Sequence, residues 1–182
     1  MIYYKDEKII IRDICSEDAI NLFICRIDRE INLHDPRPLP HTSKELLAEC
    51  RDYCNTFDKE VMNEVIEERK YKYFIITNNT GDFIGFVNLF GIDKAKKQGE
   101  MGIIIGDKRY WRRGVAYTAL KLVIKYIFEN MDIDRIYIET GETNEPALKL
   151  FDKLDFKQCG EYIEDENFRF IVMEKCRSEL IV

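Results

Sequence analysis

No apolar run in the chain approaches the ~20 residues that a membrane-spanning helix needs. Residues 1–13 (MIYYKDEKIIIRD) carry charges inside their apolar stretch and have no small-residue cleavage site, so they do not read as a signal peptide. Histidine is scarce: His34 and His41 share one loop with Asp35, but no Ser or Cys sits in a nucleophile elbow, which argues against a hydrolase triad. The glycine-containing loop at residues 106–116 lacks the Lys-Ser/Thr ending of a nucleotide-triphosphate loop, which argues against a kinase or ATPase. Basic residues are outnumbered, 28 Lys and Arg against 34 Asp and Glu, and the net charge of −6 counts against a nucleic-acid surface and favours cationic partners. Internal repeats and low-complexity linkers are also missing. The six cysteines are scattered without a secretory signal, as expected for reduced thiols in a cytoplasmic protein. Cys50 and Cys54 have helical spacing, but no second Cys or His pair completes a metal site, so they are expected to pack inside a helix interface.

What remains is an ordinary globular composition, 46% hydrophobic and 34% charged, in a chain of 182 residues. That length suits one well-buried core and a single domain over residues 1–182. Strands are expected at 8–12, 71–77, 83–90, 98–105, 134–140, 156–163 and 168–174, where β-branched and aromatic residues concentrate. Asn78, Asn79 and Gly81 supply a hairpin turn between the second and third of these. A first helix is expected to start at Ser16 as N-cap and stop near Asn32. Three prolines between His34 and His41 exclude regular helix there. Thr42 with Glu45 forms a capping-box pattern for a second helix, whose apolar positions are Leu46, Leu47, Cys50 and Cys54. Asn55-Thr56 is a candidate break, followed by a helical piece through Val61, Val65 and Ile66 that ends at residues 67–70. The resulting order β α α β β β α β α β β fits one three-layer α/β domain with a mixed, mostly antiparallel sheet of about seven strands flanked by helices.

The chain is organised around residues 106–126 (GDKRYWRRGVAYTALKLVIKY). An apolar strand through Ile103, Ile104 and Ile105 runs into them. A helix with Leu120, Val123, Ile124, Ile127 and Phe128 at 3.6-residue spacing leaves them. A helix start has unpaired N–H groups and a positive dipole end, so Arg112, Arg113, Gly114, Val115, Ala116 and Tyr117 make a candidate anion cradle. Trp111-Arg112-Arg113-Gly114-Val115-Ala116 resembles the Arg/Gln-x-x-Gly-x-Gly/Ala segment of the GCN5-related N-acetyltransferases. Tyr110-Trp111-x-x-Gly114-x-Ala116 looks like the form found in the ribosomal-protein N-terminal acetyltransferase branch. Downstream, Asn144, Ala147, Leu150 and Phe156 match that family's Asn-x-x-Ala-x-x-Leu-Tyr-x-x-x-Gly-Phe pattern, with Phe151 in place of Tyr and Asp155 in place of Gly.

The resemblance implies an acetyl-CoA-dependent transfer to a primary amine through a ternary complex, with no metal and no covalent enzyme intermediate. The acceptor it implies is a protein N-terminus, or a small cationic amine such as a polyamine or aminoglycoside. Residues 112–117 would hold the CoA diphosphate, and the backbone of Ile103, Ile104 and Ile105 the pantetheine arm. Asn144 would contact cofactor or an ordered water, beside Phe151. Glu100 is the implied general base and Glu139 the second choice. The family's wall between the first two helices points to Glu30, Asp35, Arg37 and His41 as acceptor contacts. A phenyl ring at position 151 cannot protonate the leaving sulfur, so Tyr117 or Tyr162 would have to replace that acid. The same substitution leaves open a non-catalytic acyl-CoA-binding protein. A homodimer is compatible with the resemblance, and neither nucleic acid nor membrane is implied as a partner.

Overall fold

A computed structural model describes residues 1–63, 65, 69–164 and 168–180. Eight strands form one sheet in the order β1-β2-β3-β4-β5-β6-β8-β7. The strands are β1 (Ile2–Lys5), β2 (Ile10–Asp13), β3 (Tyr71–Thr77), β4 (Phe83–Asp93), β5 (Gln98–Ile105), β6 (Arg135–Gly141), β7 (Lys157–Glu164) and β8 (Phe168–Cys176). Four helices cover the sheet: α1 (Ala19–Ile27), α2 (Ser43–Glu60), α3 (Val115–Asn130) and α4 (Glu145–Lys153). The architecture is the expected three-layer mixed sheet. The helices α3 and α4 bury Leu120, Ile127, Phe128 and Phe151 against one face. On the other face, Leu22 and Cys25 of α1 and Phe57 of α2 pack on Ile75 and Phe86. No described helix is long and apolar enough to cross a membrane.

The additional strand is β1. It folds back on β2 through a turn in which Asp6 Oδ1 accepts from the N–H groups of Lys8 (2.7 Å) and Ile9 (2.8 Å). Four residues carry too short an alternation to read as a strand before this turn is seen. The first helix also differs from expectation. Ser16 is not its N-cap but opens a 3₁₀ turn of residues Ser16–Asp18, and Asp18 Oδ2 accepts from Cys15 N (2.9 Å) and Arg12 Nη1 (2.7 Å). That helix ends at Ile27 rather than near Asn32, because Asp28 turns extended. Asn32 Nδ2 then reaches back to the carbonyls of Cys25 (2.8 Å) and Asp28 (2.7 Å), satisfying acceptors the helix end leaves open.

The capping box at Thr42 and Glu45 forms: Glu45 N donates to Thr42 Oγ1 (3.2 Å) and Thr42 N to Glu45 Oε2 (3.3 Å). No break follows at Asn55-Thr56, because the Thr56 hydroxyl donates to Asp52 O (3.0 Å) and is satisfied within the helix. The packed face of α2 is not the expected one. Leu47 is 67% exposed and Cys54 is exposed, whereas Tyr53, Phe57 and the following Val61 turn toward the sheet. Aromatic area outweighs two thiols in setting the helix's rotation. In the expected helical piece after Val61, Val65 is exposed, while Ile66 and residues 67–68 lie outside the described residues. The same holds for residues 165–167 of the β7–β8 turn.

These faces give a direct test. Phe57→Ala should lower unfolding stability by about 3–5 kcal/mol in urea titration, and Leu47→Ala should change it by less than about 0.5 kcal/mol. Equal losses would place the packed stripe elsewhere on α2.

Candidate active site

Neighbouring strands in this sheet are antiparallel except β5 and β6, which run parallel and pair only at Gln98–Arg135, Gly99–Ile136 and Glu100–Tyr137. That end is pinned, since Arg135 Nη1 donates to Gln98 Oε1 (2.8 Å) and Asp134 N to Lys97 O (2.7 Å). Past Glu100 the two strands part. Residues 101–105 stay paired to β4 but have no partner on β6, so their peptide groups on that side are open to a ligand.

Two cavities meet at the parting. The first, about 570 Å³, runs between the separated strands and is lined by Met101, Ile103, Ile138, Thr140, Asn144 and Phe151, among others. The second, about 790 Å³, lies under α2 and is lined by Tyr53, Tyr71, Tyr73, Phe86, Asn88 and a set of charged groups. Gly102, Ile104, Asn32, Asp35 and Arg37 belong to both walls. A Cβ on Gly102 would come within 2.6 Å of Asn88 Oδ1, so glycine permits that close approach at the seam.

The charged lining of the second cavity is Asp35, Glu49, Asp52 and Glu60 against Arg26 and Arg37. Glu49 is shared, 2.6 Å from Arg26 Nε and 3.6 Å from Arg37 Nη1, and Glu60 pairs with Lys70 (2.5 Å). Asp35 and Asp52 form no ion pair among the described residues. Aromatic side chains of Tyr53, Tyr71 and Tyr73 line the same cavity.

The opening of α3 differs from those of α2 and α4. Thr42 and Asn144 cap their helices with side-chain oxygens, but the N-cap of α3 is Gly114, which has none. Its φ of +78° favours glycine, and the N–H groups of the first turn are left without a side-chain partner. Arg112 and Arg113 are exposed beside it, and Trp111 anchors the loop by donating from Nε1 to Ile105 O (2.7 Å).

Glu100 sits at the last paired position of β5, half-buried, on the same strand face as Gly102 and Ile104. Burial, aided by the neighbouring Glu139 charge, pushes its carboxyl up to about 7. A carboxylate titrating there can accept a proton near neutral pH. It lines neither cavity, whereas Glu139 lines the first and accepts from Tyr162 Oη (2.5 Å). Asn144 is both N-cap and cavity wall: its Oδ1 accepts from Ala147 N (3.3 Å) and its Nδ2 donates to Thr140 Oγ1 (3.1 Å). Phe151 is 4% exposed and packs edge-to-face on Phe156 at 5.1 Å, lining the first cavity with a ring that has no acidic proton. Neither proposed substitute acid reaches that cavity. Tyr117 lies under Lys153 Nζ at 4.7 Å, and Tyr162 is bound to Glu139 with its phenol pushed up by burial and by that carboxylate.

Of the acceptor candidates, Asp35 and Arg37 reach both cavities. Glu30 and His41 reach neither: Glu30 pairs with Lys108 Nζ (2.7 Å), and His41 Nδ1 lies 3.0 Å from Arg29 Nη2. Sequence reading missed Glu49, Asp52, Tyr53 and Glu60, although they form a stripe at helical spacing on α2. It also missed Tyr71 and Tyr73, which alternate on β3. Asn32 lines both cavities, and its side chain closes carbonyls left open by α1, which ends at Ile27.

The sheet opens between two parallel strands, and the chain leaving β5 leads to the uncapped start of α3, although none of Arg112, Arg113, Gly114, Val115, Ala116 and Tyr117 lines either cavity. The acetyltransferase (GNAT) domain model matches residues 8–157, and the chain belongs to that family. Among curated relatives, it is 28% identical over 118 residues to an N-acetyltransferase 9-like protein of Caenorhabditis briggsae, covering 59% of this chain and 58% of that one. It is 25% identical over 112 residues to spermidine N(1)-acetyltransferase of Vibrio cholerae (60% and 64% covered). It is 30% identical over 87 residues to an N-alpha-acetyltransferase of Saccharolobus solfataricus (46% and 52% covered). These matches span a little over half of each relative's length. The fold is similar to that of spermidine N-acetyltransferase from Vibrio cholerae solved with CoA and spermine, at a TM-score of 0.75 and 18% identity over 95% of this chain and 98% of that one.

The Glu100 carboxyl ties stability to pH. Its folded pKa of about 7 lies above the ordinary carboxylate value, so the folded state holds the proton more tightly than the unfolded one. The associated stability is fully present below about pH 4.5 and is lost as pH rises through about 7. Glu100→Gln should therefore raise the melting temperature more at pH 8 than at pH 5. An equal shift at both values would mean that the carboxylate is not strained.

Proposed function

We propose that this protein transfers the acetyl group of acetyl-CoA directly to a primary amine, a protein N-terminus or a small cationic amine such as a polyamine or aminoglycoside. The observation that carries the reading is the parting of β5 from β6 beyond Glu100, which leaves residues 101–104 facing a cavity that meets a second, acid-lined one. Family membership and the fold it shares with a CoA-bound relative support the same reading.

On this reading the uncapped amides at Gly114 to Tyr117, with Arg112 and Arg113, hold the diphosphate of the donor. The pantetheine arm runs along β5, taking up the peptide groups that β6 leaves open. The amine enters from the α2 side, drawn by Asp35 and Asp52. A free alkylammonium titrates near 10.4, so the site must remove a proton before attack. Glu100, titrating near 7, receives it through water. The nitrogen then adds to the thioester carbon, backbone N–H groups of β5 hold the oxyanion, the added nitrogen gives up its second proton to solvent, and the C–S bond breaks. The leaving thiol has a pKa of about 8.5, so CoA departs as a thiolate or takes up a solvent proton. This makes the missing hydroxyl at Phe151 tolerable, since general-acid help to a good leaving group sits at the low end of ~10²–10⁴-fold.

Two measurements test the proposal. Titration calorimetry should register CoA binding to the wild type, and Gly114→Val should weaken it about tenfold or more by forcing a β-branched residue into a positive-φ position. Thiol release from acetyl-CoA against a panel of amines should rise through pH 7 in the wild type, and Glu100→Gln should lose that rise. CoA binding without turnover on any amine would favour a non-catalytic acyl-CoA-binding protein.

A further inference from the structure

The loop that brings Asn32, Asp35 and Arg37 to both cavities is tied, at its start, to the loop that opens α3. One lysine makes the tie. Lys108 begins the 3₁₀ turn Lys108–Tyr110, between the end of β5 and Gly114. Its Nζ lies 3.0 Å from Asp28 Oδ2, 3.1 Å from Asp28 Oδ1 and 2.7 Å from Glu30 Oε2. Among the described residues, neither carboxylate has another ion-pair partner.

Each end of the tie leads toward one substrate. On the donor side, the Lys108 carbonyl accepts from Trp111 N (3.1 Å), and the ammonium stands 5.9 Å from the Trp111 ring centre. Trp111 anchors the loop to Ile105 O, and Gly114 follows it at the start of α3. On the acceptor side, Asp28 Oδ1 accepts from Glu30 N (2.9 Å) and Ile31 N (3.0 Å) as well as from the lysine. The carboxylate that meets the ammonium therefore also folds the first turn of the loop, and Ile31 lines the first cavity. Other side-chain bonds hold the loop to α1 and to the β6–α4 connection: Arg37 Nη2 donates to Arg26 O (2.7 Å), and His34 Nδ1 lies 3.2 Å from Thr143 Oγ1. Neither touches the start of α3. Without the ammonium, Asp28 and Glu30 would be two like charges gathered around one point, and they would repel.

Building on the acetyl-transfer reading above, we infer that Lys108 is a positioning residue that couples the two substrates, holding the acceptor loop to the donor loop through Asp28 and Glu30. Gripping the CoA diphosphate at Gly114 then steadies the turn at Asp28 to Ile31 and raises the affinity for the amine. Lys108 itself touches neither substrate. Linkage makes the effect mutual, so bound amine strengthens CoA binding by the same factor. Partly exposed ion pairs contribute little singly, and two of them give a modest coupling of about threefold to fivefold in affinity.

Amide hydrogen exchange with and without CoA tests the inference, beside calorimetry of CoA and kinetics on any amine that the protein acetylates. Lys108→Met keeps the aliphatic stem and removes the charge, whereas Lys108→Arg keeps the charge. In the wild type, CoA should slow exchange over residues 30–37 about threefold or more. In Lys108→Met the same amides should exchange about threefold to tenfold faster in the free protein, and CoA should no longer slow them. The KM for the amine should rise about threefold to fivefold at saturating acetyl-CoA, with kcat and the affinity for CoA alone within about twofold of wild type. Exchange at the buried Ile75 and Leu120 should not change, which separates the effect from a general loss of stability. Lys108→Arg should behave as wild type. Unaltered exchange over residues 30–37 in Lys108→Met overturns the inference, as does equal quickening at Ile75 and Leu120, or Lys108→Arg behaving as Lys108→Met. If CoA gives no heat with the wild type, the acetyl-transfer reading fails instead. Exchange in the free protein then decides whether Lys108 holds the loop.

Discussion

Three paired residues hold β5 to β6, and the rest of the site follows from the fact that the pairing stops there. A buried strand whose peptide groups have lost one neighbour must find other partners, because unpaired backbone polar groups are costly. Here the parting opens a cavity instead of a void. It does so without fraying the sheet, because β4 holds β5 through Ile105 and β8 holds β6 through Gly141. Each of the strands that part thus keeps a continuous ladder on its outer side.

Around that gap the polar groups divide into satisfied and unsatisfied sets. The helix starts of α2 and α4 are closed by their own side chains, so they serve stability. The start of α3 is left open by glycine, with cationic side chains beside it. In the proline-containing loop after α1, Asn32 and Asp28 use their side chains to terminate the helix and turn the chain, and Arg37 bridges Arg26 O and Glu49 at the seam of the two cavities. Open groups in an otherwise well-bonded fold are where ligand binding can gain most free energy.

Electrostatics reinforces the same geometry. Half-buried beside Glu139, Glu100 holds its proton to about neutral pH, and this depends on two strands bringing two carboxylates to one face. Under α2, Asp35 and Asp52 share a cavity wall with aromatic side chains, and both are exposed. A net-acidic protein surface points the same way but could not locate the site.

Much of the fold was legible in the chain. The apolar runs of β3 to β6, the spacing of α3, and the caps Thr42, Gly114 and Asn144 are local signals, set by sterics and hydrogen bonding within a few residues. The 110–116 and 144–156 patterns belong to the same class, which is why the family could be recognised from them. The rotation of α2 was not legible, since Leu46, Leu47, Cys50 and Cys54 make as plausible an apolar stripe as Tyr53 and Phe57 until a sheet is there to receive one of them. The same limit applies to Glu30 and His41, which share a stretch of chain with Asp35 and Arg37 yet are turned into ion pairs or solvent by the way the loop packs. By itself the sequence determined most of the strands and helices, the glycine start of α3 included, because those depend on neighbours along the chain. Only tertiary structure decided which carboxylates meet and where the two cavities join, because those depend on residues far apart in sequence being brought within a few ångströms.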